Sequence, residues 1–94
     1  MDILKIDRSF VMDLPASASS IAIVDAIVTL AHGLGLEVVA EGVETPEQAT
    51  LLHAHACDEG QGYHFGHPMP LLEFQNLLAR HRTRAAAAAV PSGG

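Results

Sequence analysis

Three short stretches carry the side chains that could do chemistry. Lys5 and Asp7 alternate with Leu4 and Ile6, so the two charged heads share one face of a strand. A strand lysine facing a packed interior must be paired or lose its charge. Held there as an ammonium, it could order a water or neutralise developing anionic charge. The same triplet also reads as a strand edge with both heads in solvent. Glu41 directly follows the apolar run 36–40, and Gly42 lets the chain turn tightly behind it. A carboxylate at a strand's carboxyl end can serve as a metal ligand or a general base. Glu44 and Glu47 are equally explained as acids helped by the dipole at a helix N-terminus. Gln61 sits between Gly60 and Gly62. That pattern marks close backbone approach to a ligand or a neighbouring strand, or a simple strand–turn junction.

Strands and helices must position these groups, and the periodicity alternates between them. A strand is expected over residues 3–7, followed by a linker at 13–17 with Pro15 as breaker. Val24, Ile27, Val28 and Ala31 recur at helical spacing, predicting a helix over 20–32, capped by Ser19 or Ser20 and ended by Gly33 and Gly35. Residues 36–40 suit a buried parallel strand. Thr45, Pro46 and Gln48 form a capping box with proline in the first turn, predicting a helix to about Ala56. A third strand is expected over 60–65. A third helix should carry Phe74, Leu77, Leu78 and His81 on one stripe, and the alanines after Arg84 extend it by propensity. The order βαβαβα implies parallel strands with right-handed crossovers, whose chemistry collects at the strands' carboxyl ends.

Composition bounds the possibilities. The chain has 94 residues, 49% of them apolar and 17% charged, which is a core-forming balance. That length excludes a complete (β/α)₈ barrel, which needs ~250 residues. Aromatics are 4%, so the core must be aliphatic. All 11 acids lie between Asp2 and Glu73, where only Lys5 and Arg8 offset them, giving 2 − 11 = −9. Such a body does not favour a polymeric nucleic-acid backbone, whereas hard divalent cations suit carboxylate oxygens. The remaining bases, Arg80, Arg82 and Arg84, read as a solvated helix end. The six histidines show no Cys₂His₂ or His-Glu-x-x-His spacing and read as surface or turn residues. Cys57, alone, reads as a small buried hydrophobe in a reducing compartment, so a cytoplasmic location is expected. No stretch is long and apolar enough for a membrane span.

Together these spacings resemble the C-terminal part of an EAL domain, the bacterial cyclic di-GMP phosphodiesterase family. The matching stretches are Asp2-Ile3-Leu4-Lys5-Ile6-Asp7-Arg8-Ser9-Phe10-Val11, Val38-Val39-Ala40-Glu41-Gly42-Val43-Glu44-Thr45, Cys57-Asp58-Glu59-Gly60-Gln61-Gly62-Tyr63, and Phe65-Gly66-His67-Pro68-Met69-Pro70. His67 departs from the Arg or Lys often found there. The resemblance covers residues 2 to about 80. It implies an α/β fold: a partial TIM-like (β/α)₈ barrel, with this chain carrying its last three β/α units as residues 2–82. The Ala-rich stretch 83–94 is expected, from composition and terminal position, to be a frayed or disordered tail.

The resemblance also implies roles. Lys5 matches the family's active-site lysine near the attacking water. Glu41 matches a glutamate assigned as general base or as part of the second-metal environment. Asp7, Glu44 and Gln61 match supporting, substrate-side positions. In the complete family, two Mg²⁺ or Mn²⁺ ions activate a water for in-line attack on cyclic di-GMP, giving linear pGpG. The Glu-Ala-Leu signature, the Asn and Glu metal ligands of the middle strands and the Asp-Asp-Phe-Gly-Thr-Gly segment are all absent from this sequence. The expectation is a fragment or a truncated reading frame, with Met1 standing where the family usually has an apolar residue, often Val. Such a chain would be catalytically incomplete on its own. The alternative is a non-catalytic module that docks on another EAL-type protein or a second-messenger signalling partner, or pairs with itself.

Overall fold

The computed structural model describes residues 2–62 and 67–89. Strands β1 (Ile3–Ile6), β2 (Glu37–Glu41) and β3 (Glu59–Gln61) lie side by side and parallel, in that order. Parallel neighbours need long crossovers. Two helices lie along these connections: α2 (Ala18–Gly33) between β1 and β2, and α3 (Pro46–Ala54) between β2 and β3. The expected strand–helix alternation is therefore present as an α/β, parallel-rich sheet.

Two elements depart from the expected order. A one-turn helix, α1 (Arg8–Val11), follows β1 directly. A two-residue strand, β4 (Met69–Pro70), pairs antiparallel with β3, so among the described residues the sheet has four strands and is not wholly parallel. The reason is length: the segment between Gln61 and Met69 is shorter than the dozen or so residues that a parallel crossover needs. Pro70 is tolerated because β4 is an edge strand, where a missing N–H costs no interior ladder bond. Of the third strand expected over 60–65, the described part ends at Gln61, and residues 63–66 lie outside the described residues.

Local chemistry sets the helix ends. Ser17, not Ser19 or Ser20, caps α2, its hydroxyl accepting from the Ser20 N–H at 3.2 Å. Thr45 and Gln48 close the expected capping box on α3. Both helices stop in the same way. Leu36 N–H donates to Ala31 and Gly35 N–H to His32; Cys57 N–H donates to Leu52 and Ala56 N–H to His53. These are the two bonds of the Schellman ending. The left-handed position falls on Gly35 in one and on Ala56, at φ +67°, in the other.

Strand alternation splits the sheet into two faces. Ile6, Val38, Ala40 and Gly60 point into the core, meeting Val24, Val28 and Ala31 of α2 and Ala49 and Leu52 of α3. The last helix, α4 (Leu71–Ala89), adds Leu71, Phe74 and Leu78 to that core. His81, expected on the same stripe, is exposed instead. Gly60 is where α4 lands. A Cβ built there would lie 2.8 Å from Leu71 Cδ2 and 3.3 Å from Phe74 and Val43 side-chain carbons. At Gly60, then, the close approach inferred from the glycine pair is made by α4, whereas Gly62 lines a cavity at the strands' carboxyl ends. The helix continues to Ala89, extended by the alanines after Arg84 as their propensity suggests. Residues 90–94, which hold the end of the expected tail, lie outside the described residues.

Candidate functional site

The register brings the chemistry-bearing residues onto the face opposite the helices. Lys5 pairs with Val39, and Val39 with Glu59; one row further on, Glu41 pairs with Gln61. Because the three strands run the same way, their carboxyl ends finish together. A cavity of about 300 Å³ opens there. Lys5, Glu41 and Gln61 line it from the strands, and Arg8, Gly42, Glu44 and Gly62 from the segments that follow. Four of the five sequence-predicted residues thus share one cavity.

The fifth, Asp7, is placed differently. It is the N-cap of α1: its carboxylate accepts the Ser9 N–H at 2.9 Å and the Ser9 hydroxyl at 2.5 Å. The Ser9 hydroxyl above all, then its N–H, holds the Asp7 carboxyl below the ordinary aspartate range, because both donors favour the charged form. Asp7 is not among the residues that line the cavity. Its cap starts α1, and so sets Arg8 at the helix's first position beside the cavity.

The loop behind Glu41 is fixed by backbone bonds. Gly42 takes φ +73°, a left-handed value that other residues rarely adopt. The Val43 N–H donates to Gln61 O at 3.1 Å, and the Glu44 N–H donates to Gln48 Oε1 at 2.8 Å. The buried Gln48 side chain therefore does two jobs: it completes the capping box and holds the Glu44 backbone at the cavity rim.

Charge is distributed unusually here. Lys5 and Arg8 are the two bases that precede Arg80, and both line this cavity. Neither forms an ion pair or side-chain hydrogen bond among the described residues, although Glu41 and Glu44 line the same space. Lys5 is exposed at the open face rather than sealed as a buried ammonium. By contrast Arg82, read from the sequence as part of a solvated helix end, grips Glu47 with both terminal nitrogens at 2.9 and 2.7 Å.

Two residues escaped the sequence reading. Arg8 carried a signal, as one of two bases in a long acidic stretch. Asp58 carried none locally, because its partners are far away in the chain. It accepts the Val38 N–H at 2.7 Å, and His32 Nε2 lies 2.7 Å from the same oxygen. It thereby ties the amino end of β2 to α2. His55 Nδ1 likewise lies 3.1 Å from Asp25 Oδ1, joining α3 to α2. Cys57 is buried as expected, and its burial pushes the thiol up to about 12.

The donor chemistry bears on a metal. Glu41 and Glu44 offer the carboxylate oxygens that Mg²⁺ or Mn²⁺ prefers. Among the described residues, however, no three His, Cys, Asp or Glu side chains converge on one point. The described set does not by itself make a site for a divalent ion.

Comparison with known proteins places this arrangement. The model of the EAL domain family matches residues 1–68. The cyclic di-GMP phosphodiesterase NbdA of Pseudomonas aeruginosa is 48% identical over 86 residues, 92% of this chain but 11% of NbdA. The crystal structure of the EAL domain of Mycobacterium smegmatis DcpA superposes with a TM-score of 0.65 at 45% identity, over 85% of this chain and 36% of that one. The manganese and cyclic di-GMP complex of Klebsiella pneumoniae BlrP1 gives 0.65 at 37% identity, over 74% of this chain and 18% of that one. The chain belongs to the EAL domain family, and its α/β fold is part of that family's TIM barrel. It spans about a tenth of NbdA.

Proposed function

We propose that this chain forms one wall of a cyclic di-GMP phosphodiesterase site and does not complete the reaction alone. The observation that carries the reading is the cavity at the carboxyl ends of β1, β2 and β3, where Lys5, Glu41, Glu44 and Gln61 come together. In it the Lys5 ammonium offsets charge on a phosphodiester, Glu41 acts as the proton acceptor or as a metal ligand, and Glu44 and Gln61 orient the ligand. Asp7 supports this wall through α1. The relatives' activity supports the substrate class, and the BlrP1 complex supports a divalent ion. The remaining metal donors must come from residues beyond these, since the described carboxylates and histidines do not gather in threes. A single, buried, unpaired cysteine is compatible with work in the reducing cytoplasm.

The test is conversion of cyclic di-GMP to pGpG by the purified 94-residue protein with Mg²⁺ or Mn²⁺. The expected result is no product above background. Turnover by the isolated chain that Glu41→Ala abolishes would overturn the claim of incompleteness.

A second reading is favoured by the exposed edge. Among the described residues β1 has a neighbour on one side only, and Ile3 on it is 52% exposed. An unpaired strand edge is a template for another chain, so the chain could instead be a module that docks on an EAL-type partner or on itself. A monomer in sedimentation that stays monomeric at high concentration would argue against self-pairing.

A further inference from the structure

We propose that Arg8 is a phosphate-binding residue of this cavity, a second cationic anchor beside Lys5. The inference rests on the reading of the cavity as a phosphodiester site and adds to it a residue and a contact. Three observations carry it. First, both bases of the acidic stretch before Arg80 line the same cavity, Lys5 from inside β1 and Arg8 from the first turn of α1. In a stretch with eleven acids, that placement puts all the fixed side-chain positive charge next to one opening.

Second, the position of Arg8 is built by its neighbours. The Asp7 cap begins α1 immediately before it. Its aliphatic stem then lies across Gly42, so closely that a Cβ on residue 42 would be 2.6 Å from Arg8 Cγ and 3.0–3.1 Å from its Cβ and Cδ. A stem stacked on a backbone this way loses fewer orientations when the guanidinium meets a ligand.

Third, among the described residues the guanidinium makes no hydrogen bond or ion pair, and the charge that feels it is the neighbouring Asp7 carboxylate. Arg82 shows what an arginine of this chain does when a carboxylate is within reach: it closes a two-nitrogen grip on Glu47. Arg8 shares a cavity with Glu41 and Glu44 and pairs with neither. Its donors are therefore available to a ligand with paired oxygens. The two non-bridging oxygens of a phosphodiester match the planar guanidinium fork. The structure thus assigns Lys5 and Arg8 different tasks. The ammonium is a compact charge at the strand end, and the guanidinium clamps the phosphate by shape as well as charge.

The experiment is calorimetric titration of the 94-residue chain with cyclic di-GMP at two salt concentrations, comparing wild type, Arg8→Met, Arg8→Lys and Lys5→Met. Circular dichroism checks that each variant folds. Arg8→Met keeps an apolar stem over Gly42 and removes the guanidinium, its charge and its N–H fork together. The expected result is binding at least roughly tenfold weaker than wild type, with a shallower dependence on salt. Arg8→Lys should recover part of the loss and restore the salt slope, because it returns the charge without the fork. That partial rescue is a readout a merely structural role would not produce, and it stands even where Arg8→Met fails to fold. Wild-type binding with Arg8→Met and Arg8→Lys unchanged, while Lys5→Met binds weakly, overturns the assignment of Arg8 and leaves the phosphodiester reading intact. No binding by the wild-type chain overturns both.

Discussion

Opposite charges come together in two regions of this molecule, with opposite outcomes. On the outer surface, Glu47 of α3 and Arg82 of α4 close a two-nitrogen ion pair, exposed on both sides. At the strand ends, Lys5, Arg8, Glu41 and Glu44 line one cavity and stay apart. The first region binds two helices that are already packed through Leu52, Leu71 and Phe74. The second is held open by backbone devices: the left-handed Gly42, the Val43 and Glu44 N–H bonds, and the Asp7 cap. The difference teaches where stability and function sit. Packing makes the α3–α4 region, and its ion pair is an addition; the cavity spends no side-chain charge on itself.

Glycines mark both regions, and substituting them separates the two. The largest effect belongs to the packed side. Phe74→Ala empties the fully buried ring site under α4 and should cost about 3–5 kcal/mol in chemical denaturation. Next is Gly60→Ala, whose added methyl meets the buried Leu71 at 2.8 Å and should cost about 1–3 kcal/mol. If Gly60→Ala instead left the denaturation midpoint unmoved, the view that α4 seats on this glycine would fail.

Gly42→Ala, on the cavity side, should cost about 1–2 kcal/mol for a side chain at φ +73°. It pushes on the flexible Arg8 stem rather than on buried atoms, so its larger consequence is loss of ligand affinity, read by the same titration as the Arg8 variants. A Gly42→Ala variant that bound cyclic di-GMP like wild type would remove the reason for the glycine.

Cys57 probes the buried side by pH. Its thiol is raised from an ordinary value near 9 to about 12, so the folded state holds its proton more tightly. That contribution is complete below the ordinary value and is lost as pH climbs from there through the raised one. Alkylation of the native chain at pH 8 should therefore be much slower than in denaturant, and Cys57→Ala should flatten the alkaline fall in stability.

The smallest effect is Arg82→Met. Arg82 holds the Glu47 carboxyl below its ordinary range, so whatever the pair contributes is present above that range and fades as pH falls. Both partners are solvent-screened, and thermal melts at neutral pH should not distinguish the variant from wild type. A clear drop would mean that the exposed pair is structural after all, and would erase the contrast with the cavity.

Much of the fold was legible because it rests on local rules. The apolar stretch before Glu41, the Thr45–Gln48 capping box and the helical spacing of Val24, Val28 and Ala31 all lie within one element each. Four candidate residues were legible too, since parallel strands bring their carboxyl ends to one edge. The α1 turn and β4 were not. One is a single turn begun by an aspartate cap, and the other is two residues with no periodicity to read. The roles of Asp58 and Arg82 were hidden because their partners lie 20 to 35 residues away.

By itself, then, the sequence determined the alternation of strands and helices, the family motifs and which residues could carry charge, because each depends on near neighbours and on period. Only the tertiary structure decided which charges meet. It turned Asp7 into a cap, gave Arg82 to Glu47, and placed Arg8 in the same cavity as Lys5 and across Gly42, with no ion pair or hydrogen bond of its own among the described residues. Whether two charges pair depends on distances set by the register and by the landing of α4 on Gly60, and no local pattern encodes those distances.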